Sequence, residues 1–156
     1  MKGRGLKILI VMIISVISFQ SCEQDDDENE NETKISTYNS RESHMAGQNC
    51  MNCHEPGGSG EGWFTAAGTV YDSTKESTFP NATVKLYTGP NGTGDLELII
   101  QVDGYGNFYT TENIDYGDGL YTSVEGNANT KHMNARITTG RCNGCHGINT
   151  DPIWTD

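Results

Sequence analysis

Cysteine and histidine are the residues of this chain whose spacing points most directly to chemistry. The 156-residue sequence has five cysteines and four histidines, and most of them fall in two Cys-x-x-Cys-His motifs, Cys50–His54 and Cys142–His146. This is the attachment spacing of haem c, in which two thiols on one tight turn form thioethers with the haem vinyl groups and the next imidazole binds the iron. The motifs predict two covalent haem c groups, held by Cys50, Cys53, His54, Cys142, Cys145 and His146.

A His-Met dipeptide precedes each motif and offers candidates for the distal iron ligands. If His54 and His146 are the proximal ligands, the only other histidines are His44 and His132, so bis-histidine ligation of both irons would use every histidine once. The alternative distal ligands are the thioethers of Met45 and Met133. A thioether also binds haem iron, and it raises the reduction potential of the haem. Whether each dipeptide serves its own haem or the other one stays open.

The same cysteines could instead bind zinc. In that case Cys50, Cys53, Cys142 and Cys145 would form a Cys₄ knuckle. Zinc does not require a histidine after each second cysteine, and zinc–thiolate sites are less usual than haem c in exported proteins, so haem is favoured. A dithiol redox site is disfavoured because no thioredoxin-like βαβ pattern accompanies either motif.

The N-terminus carries an export pattern. Three positive charges in residues 1–7 precede an apolar run over residues 8–19, which is shorter than the ~20 residues needed to span a bilayer. The run stops just before Cys22. Residues 1–21 resemble the signal peptide of a Bacteroidetes-type lipoprotein, and this resemblance implies that Cys22 is the lipidated first residue of the mature chain.

A strongly acidic stretch follows, and residues 22–40 are predicted to be a disordered tether. Acidic residues after a lipidated cysteine resemble the surface-export signal of such lipoproteins, which leaves two locations for an outer-membrane anchor, the cell surface and the periplasmic face. Loss of three positive charges with residues 1–21 would take the formal charge from −11 to −14. Such a charge disfavours nucleic acid and anionic lipid as partners and attracts basic ones.

The segment between the motifs is predicted to be rich in β-strands. Leu96, Leu98, Ile100 and Val102 alternate with residues assigned to the opposite face, which is the period of a strand with one buried side. Glycine, asparagine and aspartate clusters mark turns between such runs. The candidate strands cover residues 64–71, 84–87, 96–102, 107–111 and 120–124. Short strands at this spacing predict a small Ig-like β-sandwich.

Three parts of this segment carry a family resemblance. Gly68-Thr69-Val70-Tyr71, residues 82–87 and residues 103–109 resemble the carboxypeptidase-regulatory-like or Cna-B-like β-sandwich, a structural and adhesive module. With the flanking motifs, the whole chain resembles bacterial dihaem c-type cytochromes in which such a sandwich separates two haem sites. The resulting division is a first haem segment at 41–61, a sandwich at 62–126 and a second haem segment at 127–156. We expect the two haems to lie close together, because neighbouring strand ends in a sandwich often emerge on the same side.

No catalytic constellation accompanies the motifs, because the sequence has no nucleophile motif, no phosphate-binding loop and no spare histidine. The sequence therefore predicts an electron carrier rather than an enzyme, with other cytochromes, redox proteins, soluble acceptors or minerals as partners and a membrane contact through the lipid. Two alternatives stay open. One is a haem enzyme, such as a peroxidase or small-molecule reductase, with an open distal site; the other is a surface-binding or adhesive sandwich stapled by haem or zinc.

Overall fold

Alternating apolar and polar residues form short strands in the computed structural model, which describes residues 31–156. The strands are β1 (Ala66–Tyr71), β2 (Thr83–Tyr87), β3 (Leu96–Gln101), β4 (Asn107–Thr110), β5 (Tyr121–Glu125), β6 (Thr130–His132), β7 (Gly140–Arg141) and β8 (Ile153–Trp154). Short 3₁₀ turns lie at Cys50–Asn52, Pro90–Gly92 and Cys142–Gly144.

The first sheet is built around β1. On one edge β4 pairs antiparallel with β1, and on the other edge β7 and β8 both pair parallel with it. The pairing with β7 covers Ala66 and Ala67, and the pairing with β8 covers Val70 and Tyr71. Between these two short strands the chain leaves the sheet over residues 142–152, and this excursion carries the second Cys-x-x-Cys-His motif.

The second sheet is antiparallel throughout, in the order β3-β2-β5-β6. Apolar side chains of both sheets form one core, with Val70, Val84, Leu86, Ile100, Val102, Phe108 and Val124 among its buried members. The predicted mainly β, sandwich-like fold is therefore confirmed. The strands extend past the predicted sandwich boundary at residue 126, because β6, β7 and β8 come from the segment assigned to the second haem.

One part of the predicted strand pattern is wrong. Ile100 and Val102 are buried as expected, but Leu96 is 47% exposed. The reason is a β-bulge, since Leu86 of β2 pairs with Leu98 whereas the next residue, Tyr87, pairs with Leu96. An extra residue in one strand reverses the faces of the residues beyond it. Leu96 therefore lies on the outer side of the sheet.

The predicted tether is wrong over residues 31–40. Ile35 forms a β-bridge with Thr110, and Ser36 is buried, with its N–H donating to the Tyr109 carbonyl at 2.9 Å. Residues 34–36 lie along the free edge of β4, where an unpaired strand can accept another segment, and residues 38–40 hydrogen-bond to other parts of the domain. Residues 22–30 of the tether, Cys22 and the predicted signal peptide lie outside the described residues. Within residues 31–156, no helix has the length and apolar character needed to cross a membrane.

Candidate functional site

The first motif begins in a tight turn that presents its two thiols differently. The turn at Cys50–Asn52 is capped by Asn49, whose side chain accepts a hydrogen bond from the Met51 N–H at 3.3 Å. Met51 is buried, so the turn is fixed to the domain by an apolar side chain. Cys50 is half-buried and Cys53 is exposed, and neither is in a disulfide.

The imidazole of His54 is oriented by backbone carbonyls. Its Nδ1 lies 3.1 Å from the Glu61 carbonyl oxygen and 3.2 Å from that of Gly62. Because a carbonyl only accepts, Nδ1 carries the hydrogen and Nε2 is left as a free electron-pair donor. Histidines that bind metals usually have their other ring nitrogen fixed in this way. Phe64 stacks on the same ring with centroids 4.2 Å apart.

His44 and His54 both line a cavity of about 740 Å³ that both cysteines of the first motif also line. The two imidazole centroids are 5.8 Å apart. Two imidazoles that bind one metal ion from opposite sides, each at about 2 Å, have centroids roughly 6 Å apart. The short loop between His44 and Cys50 therefore returns the histidine to its own motif. Met45 is 67% exposed.

The second motif repeats this arrangement. Cys142 is half-buried and Cys145 is exposed, as at the first motif. The Nδ1 of His146 donates to the Asp151 carbonyl oxygen at 2.7 Å, which again leaves Nε2 free. The same device thus orients both predicted proximal ligands, although the two sequences after the motifs differ.

A cavity of about 560 Å³ adjoins the second motif and reaches into the core. Core side chains of both sheets line it, including Val84, Phe108 and Val124, together with Cys142, Cys145 and His146. His132 and Met133 border this cavity, so each His-Met dipeptide lies with its own motif. Both cavities fall within the roughly 300–1,000 Å³ of ordinary ligand sites.

The two motif segments lie side by side on the first sheet. Thr69 of β1 contacts both, because its Oγ1 accepts from the Gly47 N–H at 2.8 Å and from the Asn143 side-chain amide at 3.3 Å. Arg141 and Glu55 form a salt bridge of 2.6 Å between the segments.

Burial raises the pKa of Cys142 to about 12, and the neighbouring Cys50 adds to this effect.

The donor set fits haem better than zinc. Among residues 31–156, no three His, Cys, Asp or Glu side chains are arranged to hold a metal ion, so the four cysteines do not form a tetrahedral cluster. A haem iron needs only two protein ligands, and the first site has two imidazoles whose centroids lie 5.8 Å apart. Each motif also has a cavity of its own, bordered by its thiols and its proximal histidine.

Several residues that position these groups were not identified from the sequence. Thr69 and Asn143 join the segments, and Gly60 packs against the His54 ring, where a Cβ would lie 2.6 Å from Nδ1. The glycine cluster over residues 57–62 was a signal for a close approach. Asn143 gave no signal, because it occupies a variable position within the motif.

Comparisons of the chain with protein-family models, with curated proteins and with solved structures found no match.

Proposed function

We propose that this protein is an exported, lipid-anchored dihaem c-type cytochrome that transfers electrons. The observation that carries the proposal is the repeated site geometry. Each Cys-x-x-Cys-His motif borders its own cavity, and each motif histidine has Nδ1 fixed by a backbone carbonyl. Such geometry suits a histidine that would bind a metal through Nε2.

The chain's own residues would bind and orient the cofactors. Cys50 and Cys53 at the first site, and Cys142 and Cys145 at the second, would each add their S–H across one haem vinyl group. His54 and His146 would bind iron through Nε2. Each haem would supply reversible one-electron chemistry between ferric and ferrous iron. The protein would accept one electron from a reduced partner and give one to an oxidised partner.

The contacts between the motif segments support electron exchange within the molecule. Thr69 hydrogen-bonds to both segments, and the salt bridge between Arg141 and Glu55 joins them. In each motif segment the residue that makes these contacts lies within three positions of a motif cysteine. Two cofactors attached at adjacent segments are favourably placed to share electrons.

The location of the protein is part of the proposal and depends on the sequence. The export pattern of residues 1–21 and the lipoprotein-like Cys22 support attachment to the outer membrane through lipid. The acidic composition supports redox partners with basic surfaces, and small or mineral acceptors are the alternatives. A Cys22→Ser variant should lose incorporation of labelled fatty acid while still attaching haem; retained labelling would contradict the anchor.

The first test is expression of the full chain with a cytochrome c maturation system. Intact mass and a pyridine haemochrome assay should show two covalent haems per chain. Matched double variants, Cys50→Ser/Cys53→Ser and Cys142→Ser/Cys145→Ser, should each retain one haem. Absorption spectra should show low-spin haem that does not bind carbon monoxide. Wild-type protein without covalent haem would overturn the proposal, and a wild-type haem that binds carbon monoxide would favour a haem enzyme.

A further inference from the structure

We infer that the two haem sites are axially unequal, with Met133 rather than His132 as the distal ligand of the second iron. The first iron would take His44 and His54, and the second would take Met133 and His146. This inference rests on the proposed function and goes further, because it assigns different ligands to two sites whose sequences look alike.

The pairing of β6 with β5 places Met133 on the cavity side of the second sheet. The Met133 N–H donates to the Thr122 carbonyl at 2.9 Å, so these residues are opposite each other. Thr122 is in turn opposite Leu86, which is buried in the core. Residues opposite each other in adjacent strands face the same side of a sheet. The Met133 side chain therefore starts on the side of the core, into which the second cavity reaches.

His132 is one residue earlier and therefore faces the other side. It pairs with Ser123, which is opposite Lys85 on the outer face. Although His132 borders the cavity, its imidazole lies against the turn at Pro90–Gly92: its Cε1 is 3.3 Å from where a Cβ of Gly92 would be. Gly92 does not line the cavity. For the imidazole to approach His146, β6 would have to shift its register by one residue.

In the first His-Met dipeptide the histidine, not the methionine, lies near the motif histidine. Residues 43–47 form no strand, so no strand alternation governs which of the two side chains faces the motif. His44 and Met45 are both exposed, but the ring of His44 lies 5.8 Å from that of His54, whereas Met45 has a φ of 54° and is 67% exposed. The loop conformation thus places the histidine beside the motif at the first site, and the strand alternation places the methionine on the cavity side at the second.

Unequal ligands imply unequal reduction potentials. A histidine–methionine pair gives haem c a higher potential than two histidines. The second site would therefore be the electron acceptor within the molecule, and the first site would be the donor.

The charged side chains around the two cavities also favour a higher reduction potential at the second site. Among the described residues, the charged side chains bordering the second cavity are Lys131, Arg136, Arg141 and Asp151, and those bordering the first are Lys34, Glu42 and Glu61. The net charge around the second cavity is therefore positive. It stays the same when Glu55 and Lys75, which form salt bridges with Arg141 and Asp151, are included. Positive charge stabilises the reduced form of a nearby haem, because reduction adds a negative charge.

The test compares three variants of the mature dihaem protein. Met133→Leu conserves volume but removes the thioether, His132→Gln removes the imidazole, and Met133→His keeps a ligand at the same position. Oxidised wild type should show the near-infrared charge-transfer band of a thioether on ferric haem. Met133→Leu should lose this band, and one of its two haems should become high-spin and bind carbon monoxide. His132→Gln should keep both the band and two low-spin haems.

The Met133→His variant distinguishes the loss of an iron ligand from a merely structural effect of substituting Met133. It should lose the band but keep two low-spin haems, and a redox titration should show the midpoint potential of one haem falling. Loss of low-spin haem in His132→Gln but not in Met133→Leu would overturn the inference and leave the dihaem carrier intact. Absence of the band from a wild-type protein with two low-spin haems would do the same. Absence of covalent haem would overturn the proposed function, and this inference with it.

Discussion

Asn143 completes the edge of β1 at Thr69. Its side-chain oxygen accepts from the Thr69 N–H at 2.9 Å, at the point where β1 is paired with neither β7 nor β8. Both residues are buried, and Thr69 also donates to the Asn107 side chain at 2.6 Å. A motif residue thus supplies the hydrogen bond that a continuous strand would otherwise make, and so fixes the second motif to the sheet.

We predict that Asn143→Ala destabilises the dihaem protein by about 1–3 kcal/mol, because it leaves the buried Thr69 N–H without a partner. Asn52→Ala is the matched control. Asn52 is an exposed residue of the first motif with a single side-chain bond to Asn49, so its loss should change stability by less than about 0.5 kcal/mol. Denaturant unfolding monitored by far-UV circular dichroism measures both. Equal stabilities of the two variants would contradict the role given to Asn143.

We predict that Gly60→Ala disturbs the first haem only. A Cβ at this position would lie 2.6–2.8 Å from three atoms of the His54 ring, which its carbonyl partners hold in place. Relief of such a contact typically costs about 1–3 kcal/mol and requires the ring to move. The low-spin spectrum of one haem should weaken. Gly144→Ala, whose Cβ would have no contact shorter than 3.5 Å, serves as the control and should leave both spectra unchanged.

His44→Ala should open the distal position of the first haem. Because His44 is the second imidazole that lines the first cavity, 5.8 Å from His54, its removal should convert one of the two haems to a high-spin form that binds carbon monoxide. Met45→Leu alters the adjacent exposed residue and should keep both haems low-spin. Titration with carbon monoxide counts the open sites. A low-spin His44→Ala protein would show that another residue binds this iron.

Electron transfer with small redox complexes should depend on their charge. Without residues 1–21 the chain would have a formal charge of −14, which attracts cations and repels anions over distances limited by salt screening. Raising the ionic strength should therefore slow the reaction with a cationic hexaammineruthenium complex and speed the reaction with anionic hexacyanoferrate. Stopped-flow absorbance measures both rates. A salt dependence of the same sign for both reagents would show that the reacting haem edge does not experience the overall negative charge.

Local patterns in the sequence were enough to predict the first five of the eight strands in residues 31–156, together with turns between them. Alternation in residues 84–87 identified β2, because a strand's two faces are encoded two residues apart, and a composition rich in threonine and aromatic residues identified β4 within residues 107–111. Asp103 lies in one of the glycine and aspartate clusters that predict turns, and its Oδ1 accepts from the Tyr105 N–H at 2.9 Å. The candidate cofactor residues were also found this way, because the five positions of each motif are contiguous.

What the sequence by itself determined is therefore the content of the molecule: mainly β structure, two candidate haem-binding motifs and four candidate histidines. Only the tertiary structure decided that residues 34–36 lie along β4, that the bulge turns Leu96 outward, and that Thr69 joins the two motif segments. It also placed His132 and Met133 on opposite faces of the second sheet, whereas the sequence offers no basis for choosing one of them as the distal ligand. These outcomes depend on the pairing of segments far apart in the chain, and a one-residue change in register reverses which side chain faces the cavity.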